Sequence, residues 1–152
     1  MLKVLVLFVA VMSFNAVLAK DCPLLPDEAM TDSLPTAKDN EASSVTHRLQ
    51  GETYSVTYRF EPASPAIGEH FNLLGRVCRN DGAKFGGTVK ADATMPDHGH
   101  GMNYVPTSQM FDNGQFVASG LLLHMPGHWA LELRVAQGAN SERLRFEYQA
   151  KR

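Results

Sequence analysis

The sequence predicts an all-β domain, an immunoglobulin-like antiparallel β-sandwich of about seven strands. Three observations carry that expectation. From residue 45 onward apolar and polar residues alternate at period two, the signature of half-buried strands. Asn, Asp, Gly and Pro cluster at short intervals between the alternating runs, as turns require. No stretch after residue 45 repeats apolar residues at helical spacing for the length of a stable helix.

Residues 45–49 offer a short strand for a sheet edge. Tyr54, Val56, Tyr58 and Phe60 share one face of the next strand, with Thr53, Ser55, Thr57 and Arg59 on the other. Pro62 and Pro65 end it, and Gly68 restarts the chain. Phe71, Leu73 and Val77 form the following inward row, and Cys78 takes the opposite face of that strand. Asn80-Asp81-Gly82 turns the chain toward Val89, Ala91, Ala93 and Met95. Asp112-Asn113-Gly114 then introduces an inward row of Phe116, Ala118, Gly120 and Leu122. Gly127 leads into Trp129, Leu131, Leu133 and Val135. Gln137-Gly138-Ala139-Asn140 turns once more before Leu144, Phe146 and Tyr148. The Cys–Trp–Cys pattern of antibody domains is missing, so the expected likeness is one of architecture.

The first residues read as a targeting segment. Lys3 supplies a positive charge, and Val4 to Leu18 is almost wholly apolar, interrupted by Ser13 and Asn15. Val17-Leu18-Ala19 places small residues where a signal peptidase cleaves. The apolar run is about fifteen residues, short for the roughly twenty of a membrane span. The expected division is a signal peptide over 1–19, an extended lead-in over 20–44 and the sandwich over 45–152. Pro23, Pro26 and Pro35 discourage regular structure in the lead-in. The expected location is the periplasm, with no stable membrane anchor after processing. Lys20 and Asp21 before Cys22 are unlike a lipoprotein site.

Composition narrows the partners. The formal charge is −2 and no basic stripe exists, so a nucleic-acid partner is excluded. Two cysteines, Cys22 and Cys78, in an oxidising compartment favour a disulfide. Metal ligation by their thiols is the competing reading, although neither has a His or Cys at chelating spacing.

Chemistry concentrates in two segments. Met95-Pro96-Asp97-His98-Gly99-His100-Gly101-Met102 holds two imidazoles and two thioethers, and His124-Met125-Pro126-Gly127-His128 follows 22 residues later. Thioethers do not suit zinc, whose ligands are Cys, His and carboxylate. The mixed set selects copper, Cu(I) through methionine and Cu(II) through histidine. Strands ending at Met95 and His124 would bring His98, His100, Met102, His124, Met125 and His128 to one end of the sandwich. Blue-copper electron transfer also needs a cysteine beside the histidines, and neither Cys follows either cluster. Each residue also has a plainer role. Met95 shares its face with core alanines, Met125 can fill space between the sheets, His124 can be an interior imidazole, and His128 alternates with inward Trp129. Asp97 beside His98 hints at a dyad, yet no Ser or Cys nucleophile sits in a recognisable motif. The expectation is a non-enzyme.

At these residues the chain resembles the YtkA-like, FixH-related group of bacterial periplasmic domains. The resemblance rests on Ile67-Gly68-Glu69-His70-Phe71-Asn72, Asn80-Asp81-Gly82 and Gly86-Gly87-Thr88-Val89. It continues through Met95-Pro96-Asp97-His98-Gly99-His100-Gly101, Gly114-Gln115-Phe116 and Met125-Pro126-Gly127-His128-Trp129, over roughly residues 52–137. It implies an immunoglobulin-like sandwich, an exported location and a link to heavy-metal handling or cytochrome oxidase assembly. Met95, His98, His100 and Met125 match the group's pattern, whereas His124 and His128 look less like features of it. Two readings result. One is a periplasmic copper protein that sequesters or delivers the ion; the other is a metal-free interaction module for a protein partner in an envelope complex.

Overall fold

The computed structural model describes Cys22 and residues 45–151. The expected signal peptide over 1–19 and lead-in over 20–44 lie outside the described residues, apart from Cys22. Among the described residues nine strands are formed: β1 (His47–Gln50), β2 (Tyr54–Glu61), β3 (His70–Arg79), β4 (Thr88–Met95), β5 (His100–Gly101), β6 (Thr107–Met110), β7 (Gln115–Leu122), β8 (Gly127–Gln137) and β9 (Asn140–Ala150). They pair antiparallel into a sheet of order β1-β2-β3-β7-β6 and a second of order β5-β4-β8-β9. The all-β sandwich is as expected. The two strands beyond the seven are β5 and β6, whose residues lack an alternating apolar row.

One face of each sheet makes the core. Tyr54, Val56, Leu73, Val77 and Phe116 from the first meet Val89, Ala93, Leu131, Leu133 and Val135 from the second. Along β4 burial alternates without exception, exposed Thr88 to buried Met95. Each large apolar side chain buried this way contributes about 1.5–3 kcal/mol. Among the described residues no helix is long and apolar enough to cross a membrane.

The inward row of β7 differs from the expectation. Leu121 and Leu123, not Leu122, join Phe116 and Ala118 in the central cluster. The cause is a bulge: Phe71 faces Leu121 but Leu73 faces Ala118, so β7 carries one residue more than β3 here. Gly120 lies in this stretch with φ +84°, a conformation glycine adopts without a Cβ clash. The bulge reverses the alternation, and His124 emerges half-buried at the rim instead of extending an interior row.

Two long-range ties hold the frame. Cys22 and Cys78 form the expected disulfide, with Cα atoms 5.6 Å apart and a sequence separation of 56. It pins Cys22 to β3, the middle strand of the five-stranded sheet. Across the sandwich, Glu142 at the start of β9 accepts backbone N–H bonds from Glu52 (2.6 Å), Thr53 (3.1 Å) and Tyr54 (3.0 Å). One carboxylate thereby closes the turn between β1 and β2.

Candidate metal centre

Local backbone chemistry builds the site. Pro96 starts a single 3-10 turn, Pro96–His98, and Gly99 ends it in the left-handed region at φ 66°. Proline fixes its own φ, and glycine accepts the positive φ needed to reverse direction. The chain returns as β5, where Met95 faces His100 and Thr94 faces Gly101. Strand β8 lies on the other side of β4, with Thr94 opposite Ala130, so Trp129 sits at the same end. The segment leaving β7 delivers His124 there. The Trp129 indole Nε1 donates to the Met125 carbonyl at 3.0 Å, which fixes that segment over the core.

Three imidazoles line up as a result. The ring centres of His98 and His100 are 5.8 Å apart, and those of His100 and His124 are 5.1 Å apart. Two imidazoles sharing one ion have ring centres about 5–6 Å apart, given metal–nitrogen bonds near 2.0–2.1 Å. Both spacings fit that requirement. Trp129, fully buried, stands edge-on to His124 at 5.2 Å and to His100 at 6.3 Å, closing the inner side of the row. The buried Nδ1 of His124 has no hydrogen-bond partner. An imidazole nitrogen withheld from water without a partner is destabilising, and a coordinated ion removes that deficit. His98 and His100 are exposed, with the His100 Nδ1 3.4 Å from the Gly101 carbonyl, so re-aiming their rings displaces no buried side chain.

The arrangement stops short of a closed cage. Among the described residues no three His, Cys, Asp or Glu side chains already surround one point. The rings of His98 and His124 flank His100 instead of facing a common centre, so a shared ion requires ring rotation. His128 is turned to acids: its Nε2 lies 2.9 Å from Glu147 and its Nδ1 3.8 Å from Asp97. The short contact is the one to β9, and Asp97 on the 3-10 turn stands beyond hydrogen-bond length. Met102 and Met125 are half-buried and pack against the core, while Met95 is sealed within it. The cysteines are joined to each other, which removes thiolate from the donor set.

Of the six expected donors, His98, His100 and His124 are brought together, and His128, Met102 and Met125 have other neighbours. Two contributors were not read from the sequence. Glu147 meets His128 because β9 folds back on β8 with Ala130 opposite it, a register set by the Gly138 turn. Trp129 was placed in the core, but its contact with the imidazoles depends on β4 and β8 being neighbours. Compared with family models, curated proteins and solved structures, the chain matches none. The likeness to YtkA-like domains therefore rests on the quoted residues alone.

Proposed function

We propose that this chain is an exported copper-binding protein that sequesters the ion or hands it on, and is not an enzyme. The observation that carries the reading is the row His98–His100–His124, spaced for metal sharing, with an unpartnered buried nitrogen on His124. His124 anchors the ion against Trp129, and exposed His98 and His100 close over it. Two exposed ligands on a turn favour exchange, because an incoming donor can replace them one at a time. Met102 and Met125 at the same end supply soft thioethers suited to Cu(I). His128, engaged by Glu147, stands beside the turn as a reserve imidazole.

Trp129 is the single tryptophan and lies beside two of the proposed ligands, so its fluorescence reports occupancy. Titrating purified protein with Cu(II), and with Cu(I) under reductant, should quench it stoichiometrically. His98→Ala with His100→Ala should abolish that quenching while leaving the circular dichroism unchanged. Stoichiometric binding that survives the double substitution overturns the assignment.

The second reading, a metal-free module for an envelope protein partner, is favoured by the lack of a ready-made cage. Absence of binding to either oxidation state at micromolar protein selects it.

A further inference from the structure

Strand β4 has an unfinished edge. Strand β5 pairs only with Thr94 and Met95, and the Met102 N–H then donates to the Ala93 carbonyl at 3.0 Å. Beyond that point the chain leaves for β6 in the other sheet. Hydrogen-bonding groups alternate along an antiparallel strand, so Val89 and Ala91 direct N–H and C=O to the same side as Ala93. Among the described residues no strand is hydrogen-bonded to them, and β6 of the other sheet passes nearby. The Ala93 N–H is closed by the Asp92 carboxylate at 2.8 Å, which leaves Ala91 and Val89 as the open positions.

A cleft of about 530 Å³ occupies the place of the missing strand. Residues from both faces of β4 line it, so it follows the strand's edge, and Glu132 and Arg134 of β8 extend it over the outer face. Its far wall is the segment from Met102 to Ser108. There the Ser108 Oγ is buried without a partner, and Val105 is 93% exposed at the lip. Charge divides the cleft: Lys90 sits opposite Arg134, and Asp92 opposite Glu132, in alternate rungs of the β4–β8 ladder.

We propose that this edge captures an extended peptide of a partner protein, which adds as a strand continuing the direction of β5. Main-chain bonds to Ala91 and Val89 supply affinity and the two charged rungs supply selection. In that antiparallel register a basic residue faces Asp92, an apolar one Ala91, an acidic one Lys90 and a second apolar one Val89. The apolar side chains enter the cleft between Met102 and Ser108. The inference does not rest on the copper reading, with which it shares only Met102.

The probe is the synthetic peptide acetyl-Lys-Val-Glu-Val-Thr-amide, titrated by calorimetry into the metal-free protein. It should bind, with the amides of Val89 and Ala91 gaining protection from hydrogen exchange. A peptide with Lys and Glu interchanged should bind about tenfold more weakly, since two favourable cross-strand pairs become like-charge pairs. The Lys90→Glu, Asp92→Lys protein should reverse that preference. Methylating both valine nitrogens of the peptide should abolish binding. Absence of binding, equal binding of the interchanged peptide, or retention by the methylated one overturns the proposal. Sedimentation showing a dimer dissociated by the peptide would assign the edge to a second copy. Tighter peptide binding once residues 23–44 are replaced by a Gly/Ser linker would assign it to that segment. Either outcome removes the partner peptide.

Discussion

Glu142 does at one position what a whole turn motif does elsewhere. Its carboxylate receives three backbone donors from residues 52–54, so the β1–β2 turn is fastened by a side chain on the opposite sheet. Charge-assisted bonds of this kind are stronger than neutral ones, and their loss strands partly buried N–H groups. Glu142→Ala should therefore lower stability by about 2 kcal/mol, read from the urea midpoint. A change below about 0.5 kcal/mol would mean that water replaces the carboxylate without penalty. Glu142→Gln should fall between the two, because the amide nitrogen opposes the donors it faces. No sequence signal announced this residue, since its partners lie about ninety positions away. Met95 and Trp129 were legible by contrast, because period-two burial is a local property that each strand carries in its own residues. Gly75 is fixed by a different contact. A Cβ there would lie 2.5 Å from the Phe116 ring, so an alanine forces the core aromatic to move.

At the scale of elements, the disulfide and the bulge show how far local reading extends. The Cys22–Cys78 pairing was inferred from cysteine number and compartment, and both residues were legible because only one pairing exists. Replacing both with serine should cost about 4 kcal/mol, the loop-closure value for a ring of this length. Chemical denaturation with and without reductant checks it, and a reductant-insensitive midpoint in the wild type would contradict it. The β7 bulge was not legible. Gly120 fits an inward row of small and large residues equally well, and only the mismatch with β3 reveals the extra residue. Its effect passes directly to the candidate centre, because the reversal of alternation decides where His124 emerges. Strands β5 and β6 were missed for a related reason. Two residues in a glycine-rich turn and the polar Thr107–Met110 run form strands only because neighbouring edges accept them.

The sandwich as a whole has a stability set by its apolar interior, and its aromatic residues give that interior a pH signature. Tyr58 packs against Phe146 with the rings tilted and their centres 4.5 Å apart, and it is almost fully buried. Burial pushes its phenol well above the ordinary range, and burial raises Tyr148 as well. A phenol with a raised folded-state pKa contributes stability that is complete below the unfolded value near 10. That stability is lost progressively as pH rises above it, because the unfolded chain ionises first. Urea midpoints should thus be flat from pH 7 to 9 and fall from pH 10 upward, and Tyr58→Phe should flatten the fall. An unchanged alkaline slope in that variant would assign the loss elsewhere. The gathering of three histidines at one end was legible from where strands stop, whereas their order, with His100 in the middle and His128 drawn off to acids, follows from pairing register. The three methionines near that end also differ in a way with chemical consequences. Met95 is enclosed, its methyl lying beneath Gly127, while Met102 and Met125 reach solvent in part. Peroxide should therefore convert Met102 and Met125 to sulfoxides first and leave Met95 intact until the protein unfolds, a sequence of damage that peptide mass spectrometry reads directly.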